Sequence, residues 1–416
     1  MDNETWKKLY REIRLPQLNP AVVGFNVNLD RIIPVTPAFL HSALPGHPAL
    51  SALRSRLLHS MQTCTAEEWF VTDRVLYQQF TRIFAGTGTC AIGGQAGIAA
   101  VHLALAGVTD LLCIAHAVGP ETGKILGNAG VRLLDLGSGN GNPSDITHLV
   151  FEYPAGLVPV DGGVVPRNNR FIASPVHGPE SVLFPDDAMD AVMSAISRYN
   201  RAFLSGYQYL KTDDEFAQAA DQIQSLKKSN NRMRVHIECV SVTDDMVIKG
   251  FVRHILPAAD STGLNEHELV LLLHTLDPGN PAYGVSGILP PVQLVKGAIM
   301  ACRMCGLVRL HLHTYGYYVL VLRKDCADPA VSLIALLFAS RAAARAAGGN
   351  STDISEPGMD ALLQVGEAFG PPVSPGIFSA DGYLIIMVPT LIARNITKSS
   401  GLGDILSSTA FVADRF

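Results

Sequence analysis

The sequence predicts an α/β protein whose sheet is mostly parallel and covered by helices on both faces. From about Ile92 onward, helix-like and strand-like segments alternate, the pattern of βα units. Hydrophobic residues make up 48% of the 416 positions and charged residues only 17%, so a large buried core is expected and long disorder is not. Two segments interrupt the alternation. Residues 34–85 open with Pro- and Leu-rich turns, and residues 154–187 are rich in Gly, Pro and Asn. The length admits one large α/β domain with an insertion, or two to three smaller domains.

The elements follow in order. A first strand closes at Asn26-Val27-Asn28-Leu29-Asp30. Gly94 to Leu105 reads as a helix, Leu111 to Ala115 as a strand and Glu121 to Gly127 as a short helix. Val131 to Leu136 and His148 to Tyr153 read as strands. Pro185 to Tyr199 is expected to be helical, with proline near its start and Asp186 and Asp187 in its first turn. Phe203 to Tyr207 is a strand, and Thr212-Asp213-Asp214-Glu215 is a capping box that opens a helix to about Lys228. Arg234 to Val240 is a strand. Leu269 to Leu276 and Val292 to Cys302 are helical, and Val308 to Leu322 holds two strands. Ser332 to Ala347 is a long buried helix, and Tyr383 to Val388 a late strand. No internal repeat stands out.

Composition narrows the function. The net charge is −5 with no basic cluster, which argues against nucleic acid as a partner. The cysteines are seven and scattered, so no disulfide framework is expected. Cys302-Arg303-Met304-Cys305 is a lone CxxC without the second ligand pair that zinc requires, and reads as two thiols in a buried helix. Met1 to Arg14 is charged and lacks the apolar core of a signal peptide. The apolar stretch Val331 to Ala339 is too short to span a bilayer. The expectation is a soluble cytoplasmic protein acting on small molecules, with no membrane partner. Oligomeric state is not readable.

The stretch richest in chemistry is Ser399-Ser400-Gly401-Leu402-Gly403-Asp404, which opens an apolar segment with Ile405, Leu406, Thr409, Ala410 and Val412 at helical spacing. Two glycines at a helix start let backbone N–H groups approach an anion closely. An aspartate beside them stays ionised near the helix N-terminus and can take a proton from a hydroxyl. The combination suits phosphoryl transfer to an alcohol, where positioning and charge stabilisation dominate. A structural turn with Asp404 as a helix cap is the plain alternative. A second glycine-rich stretch, Leu133 to Gly141, looks like a dinucleotide or methyltransferase loop. It meets Asn142-Pro143, and the next strand begins near His148, which leaves no room for a crossover helix.

Five ordered motifs carry a resemblance: Asn26 to Asp30, Gly93-Gly94-Gln95-Ala96-Gly97, His236-Ile237-Glu238, Asn265-Glu266-His267-Glu268 and Gly401 to Asp404. Together they resemble the ADP-dependent glucokinase and phosphofructokinase family of the ribokinase-like superfamily, from about Gly24 to Ser408. The resemblance implies a three-layer α/β/α sandwich with a small β-rich lid. It places residues 1–30, 86–150 and 185–416 in the large nucleotide-binding domain, and residues 31–85 and 151–184 in the lid.

It also implies an ADP-dependent sugar kinase that moves the β-phosphoryl of Mg-ADP to a hydroxyl. Asp404 is then the general base, and Gly401, Leu402 and Gly403 supply an anion hole. Glu238 and Glu268 are the magnesium candidates, since this ion keeps several waters and needs few carboxylates. Asp30 would hold the acceptor sugar. Asn26 and Asn28 fall on the same strand face, and Gly94 and Gln95 add a second contact. Arg170, in Asn168 to Ile172, would enter the site from the lid and could bind phosphate oxygens. Asn265 and His313 are expected near the nucleotide, and Ser205-Gly206-Tyr207-Gln208 at the cleft wall. Glu67 or Glu68 corresponds to a lid glutamate that favours glucose, on a weak local match. The acceptor therefore stays open between glucose, fructose 6-phosphate and another polyol or nucleoside. A catalytically silent sugar- or nucleotide-binding relative is the other class.

Overall fold

The structure is a computed structural model. It describes the chain except residues 1, 15, 45–46, 66, 117, 138–143, 160–162, 179–180, 186, 243, 281–282, 284–288, 350–352 and 395–399. Of the motifs above, Ser399, Asp186 and the loop 138–143 lie outside the described residues.

The strands among the described residues are, in chain order, β1 (Ala21–Phe25), β2 (Asn28–Pro34), β3 (Glu67–Val71), β4 (Thr89–Gly93), β5 (Leu111–Ala115), β6 (Arg132–Asp135), β7 (Thr147–Tyr153), β8 (Asn169–Pro175), β9 (Arg201–Leu204), β10 (Arg234–Glu238), β11 (Ser261–Asn265), β12 (Arg309–His313), β13 (Tyr317–Arg323), β14 (Ile377–Ala380) and β15 (Tyr383–Pro389). They form two sheets. The larger has the order β14-β15-β13-β12-β11-β10-β9-β1-β5-β6, the smaller β3-β8-β7-β2-β4. From β6 to β12 every neighbour in the large sheet is parallel, and β13, β15 and β14 extend it antiparallel.

The centre of the large sheet is buried on both faces, as is usual for parallel sheets, whereas its edge strand β6 is largely exposed. All five residues of β1 are buried. Ala21 and Val23 pack with Leu111, Cys113 and Phe203 beneath the helices Gln95–Leu105 and Leu402–Ala413. Val22 packs with Leu112, Ile114 and Leu204 on the opposite side. The result is the three-layer sandwich expected. The helix Pro329–Gly348 runs longer than the expected Ser332 to Ala347. Its length and apolarity would suit a membrane span, but Leu336, Leu337 and Ala339 are buried in the core.

The smaller sheet is two-faced. Leu149, Phe151, Phe171 and Ala173 join Leu53, Leu57 and Phe80 in a separate core under the helices Ser51–Thr63 and Arg74–Ile83. Side chains alternate along a strand, so the opposite face carries the polar set Asn28, Asp30, His148, Glu152 and Arg170. These two helices were not anticipated, because the prolines of residues 34–48 masked the apolar spacing that follows them. The sheet also reaches further than the expected lid edges. It takes in Asn28 to Asp30, all of β4 and the first half of β7. Hydrogen bonding of β2 to both β4 and β7 decides this.

Other departures are local. The helix expected from Pro185 spans only Met189–Ile196, and Tyr207–Tyr209 is a 3-10 turn after β9 rather than strand. Strand β11, the helix Asn3–Glu12 and the helix Glu356–Phe369 went unforeseen. No helix lies between β6 and β7 among the described residues, in keeping with the rejection of a dinucleotide loop at Leu133.

Candidate active site

The C-terminal helix sets the site. Gly401 is its N-cap with φ 71°, a left-handed conformation that suits glycine, and Leu402, Gly403 and Asp404 form its first turn. Asp404 therefore sits inside the turn rather than at the cap. Residues four apart share a helix face, and Gly403, Ser407 and Phe411 all press on the large sheet. A Cβ on Gly403 would lie 2.8 Å from His313 Nε2. Ser407 Oγ lies 3.1 Å from His236 Nε2, and the Phe411 ring 5.0 Å from the His236 ring. This packing holds the helix start at the carboxyl ends of the parallel strands, where α/β sheets bind ligands.

Three carboxylates collect there. Glu238 ends β10 and is buried, with Oε2 3.0 Å from His236 Nε2. Its carboxyl is pushed well above the usual range, first by burial and then by the charge of Asp404, with Glu268 adding to it. Burial also lifts Glu268 to about 7, against hydrogen bonds from the Asn265 backbone and Ser241. Burial, with Arg309 and His313 nearby, holds His236 neutral. Asn265 and Glu268 form a reciprocal capping box: Glu268 N donates to Asn265 Oδ1 at 2.9 Å, and Asn265 N donates to Glu268 Oε2 at 2.8 Å. The spacing expected to serve cation and nucleotide is thus also the N-terminus of the helix Glu266–Leu276.

In front of the helix start lies a cleft of about 160 Å³ between the two sheets. Ser400, Gly401 and Asp404 line one wall. Asn26, Asn28, Asp30, Gly94, Gln95 and Arg170 line the others. The substrate residues expected from the sequence are thus brought together against the GLGD turn. Gly94 has φ 73°, and a Cβ there would meet Asn26 O at 2.3 Å, so the second motif closes directly on the first. Leu402 and Gly403 stand in the first turn just behind this wall, and His313 lies under Gly403. Of the Ser205 to Gln208 stretch, only Gln208 reaches the cleft.

The cleft wall contains acceptors without protein partners. Asn28 Nδ2 donates to Asp30 Oδ1 at 2.7 Å, which leaves Asn28 Oδ1 pointing elsewhere, buried and unpartnered. Gln95 Nε2 donates to Cys239 O at 2.8 Å, and Gln95 Oε1 is buried and unpartnered in the same way, as is Gln208 Oε1. Buried acceptors without donors are costly. Three of them around one cleft match a ligand with several hydroxyl groups.

Several lining residues were missed. His148, Glu152 and Tyr209 face the cleft beside Glu68. Glu68 Oε1 accepts from Ser174 Oγ at 2.8 Å and lies 3.8 Å from His148 Nδ1. Glu67 instead pairs with Arg56 away from the cleft, so Glu68 is the glutamate that enters it. Period-two alternation on β7 held the signal for His148 and Glu152, since Val150 between them faces the same way.

The conserved region of ADP-specific phosphofructokinases and glucokinases matches residues 20–413. An ADP-dependent glucose/glucosamine kinase of Pyrococcus furiosus is 28% identical, covering 99% of this chain and 98% of its own. An ADP-specific phosphofructokinase of Methanosarcina acetivorans is 25% identical, with 99% and 98% covered. The solved structure of an ADP-dependent kinase in complex with fructose-6-phosphate and ADPβS superposes with a TM-score of 0.82 at 26% identity, covering 99% and 98% of the two chains.

Proposed function

Because the chain belongs to the ADP-specific phosphofructokinase/glucokinase family, we propose that this ADP-dependent sugar kinase phosphorylates an unphosphorylated hexose, with Asp404 as general base. The unpartnered acceptors Asn28 Oδ1, Gln95 Oε1 and Gln208 Oε1 carry the reading, since sugar hydroxyls are the donors they lack. Asp30 accepts from a further hydroxyl. Asp404 takes the proton of the attacking hydroxyl as its oxygen closes on the phosphorus. The N–H groups of the turn Gly401 to Gly403 face the transferred phosphoryl, where the helix N-terminus favours negative charge.

The carboxylates of Glu238 and Glu268 beside Asp404 fit a divalent cation: after burial, the charge of Asp404 and then that of Glu268 raise Glu238, and a cation between them would offset that repulsion. No group of three or more metal-ligating side chains converges among the described residues. Glu238 and Glu268 would hold magnesium with waters and diphosphate oxygens completing its shell. The ion would supply charge neutralisation on the diphosphate.

Charge supports the hexose reading. Glu68, Glu152 and Asp30 face the cleft, and among the described residues Arg170 is the one arginine that lines it. A sugar phosphate would bring its dianion among these carboxylates, whereas a neutral hexose would not. Arg170 favours a second reading, fructose 6-phosphate. The test is an ADP-dependent assay of both sugars with wild type and Glu68→Ala. The proposal expects glucose to be preferred by wild type, and Glu68→Ala to lose glucose turnover while gaining on fructose 6-phosphate. A wild type that uses only fructose 6-phosphate refutes the hexose assignment.

A further inference from the structure

A row of polar side chains crosses the large sheet below the candidate site. His236 on β10, Ser261 on β11 and Arg309 on β12 are direct cross-strand partners, so their side chains stand on one face. All three are fully buried. Arg309 Nη1 donates to Ser261 Oγ at 3.1 Å, and Ser261 Oγ lies 2.8 Å from His236 Nδ1. His236 Nε2 reaches Glu238 Oε2 at 3.0 Å. At the other end Arg309 Nε donates to Asp414 Oδ2 at 3.1 Å, and Ser332 Oγ donates to Asp414 Oδ1 at 2.7 Å.

A buried ion pair is weak as a source of stability, because well-packed apolar residues do as well or better. Arg309 Nη2 is moreover left without a partner. The row instead has a direction. An arginine only donates, so Ser261 Oγ accepts from it, and the hydroxyl hydrogen that remains has His236 Nδ1 within reach at 2.8 Å. A neutral imidazole that accepts at Nδ1 carries its proton on Nε2, which lies 3.0 Å from Glu238 Oε2 and 3.1 Å from Ser407 Oγ.

We infer that Arg309, clamped by Asp414, is a positioning residue that acts through Ser261 and His236 to aim the Glu238 carboxylate at the diphosphate site. The inference rests on the kinase reading only for what Glu238 is aimed at. The relay itself is a statement about one proton. Ligand-orienting partners of this kind typically contribute about 10–100-fold in metal affinity or activity.

The experiment is long-range ¹H–¹⁵N correlation of the histidines in the full chain, with the His236 signal identified by its loss in His236→Gln, together with calorimetry of Mg-ADP binding. Wild type should show His236 protonated at Nε2. Ser261→Ala should redistribute that proton between the two nitrogens and weaken Mg-ADP about 10–100-fold, while sugar binding alone is unchanged. Should Ser261→Ala not fold, Asp414→Asn, of nearly equal volume, reads the same two quantities from the far end.

A wild-type His236 protonated at Nδ1 overturns the proposal outright. So does a variant whose histidine spectrum is unchanged, and so does a shifted proton with undiminished Mg-ADP affinity. Failure of the kinase reading is distinct: the wild type would phosphorylate no sugar, with the His236 spectrum as expected.

Discussion

Replacing Gly263 by alanine should strike the site from behind, through Glu238, without removing any side chain that lines the cleft. Gly263 is the cross-strand partner of Glu238. A Cβ built on it lies 2.1 Å from Glu238 Oε2, 2.3 Å from Ser407 Oγ and 2.9 Å from His236 Nε2. Ordinary non-bonded contact begins near about 3.5 Å, so the carboxylate and the serine must each withdraw by roughly 1 Å. Overpacking of this size costs about 1–3 kcal/mol. Withdrawal also opens the 3.0 Å contact of Glu238 with His236, and a hydrogen bond to a charged group contributes about 1.5–3 kcal/mol. The combined effect is therefore about 2.5–6 kcal/mol, divided between folding and function according to what yields.

If the backbone holds and Glu238 moves, activity absorbs it, at about tenfold per 1.4 kcal/mol. Urea denaturation reads the first share and a magnesium titration of ADP-dependent phosphorylation the second. We expect a raised magnesium requirement with a lowered denaturation midpoint. Gly263→Ala with both curves at wild-type positions would show that the packing around Glu238 has no bearing on the site.

Asp404→Asn should lower kcat by roughly 10²–10⁴ with nucleotide affinity nearly kept, as for loss of a general base; near-normal turnover excludes that role. Burial, with His177 adding to it, depresses His148 to about 3, and burial takes His177 to about 4. Between pH 6.5 and those values the unfolded chain binds protons that the native state refuses. Stability present above pH 6.5 is therefore lost as the pH falls toward 4. His148→Gln should flatten the decline of the urea midpoint from pH 6.5 to 4.5, and parallel curves for the two proteins would contradict this. Small-angle scattering should show compaction when nucleotide and sugar are both present, because the cleft between the sheets must exclude water during transfer; identical profiles with and without ligands would speak against closure.

The sequence made the large sheet legible because its strands are short apolar runs separated by helical spacing. In the smaller unit it hid the helices Ser51–Thr63 and Arg74–Ile83, which follow a proline-rich entry and fall where a β-rich lid was expected. β11 was missed because Ser261-Thr262-Gly263 lacks apolar weight. Its small residues are there to leave room for His236, Glu238 and Arg309 on either side. The site divides in the same way. Motifs local in sequence, such as Gly401 to Asp404 and Asn26 to Asp30, could be read directly. His148 and Glu152 show in the sequence only as one face of a strand, and strand pairing is what sets them beside Glu68. The row from His236 to Arg309 is invisible in sequence because its members are 25 and 48 residues apart.

The chain passes from β1 in one sheet to β2 in the other through only Asn26 and Val27, and from β4 back into the helix Gln95–Leu105 through Gly94. The two crossings are tied together, with Ala96 N donating to Asn26 O at 3.1 Å. The residues proposed to recognise the acceptor, Asn26, Gly94 and Gln95, therefore sit at the crossing between the sheets, while Glu68, His148, Glu152 and Arg170 lie on the small sheet and Asp404 on the helix against the large one. The axle of a hinge does not travel when its leaves turn. If the sheets turn about this crossing, a sugar held there would keep its contacts throughout, and closure would add only the side chains of the small sheet. For a lineage of such enzymes, this separates two inheritances. On the proposed roles, substitutions on one face of five strands would redirect the choice of sugar, while the turn Gly401 to Asp404 would be passed on untouched.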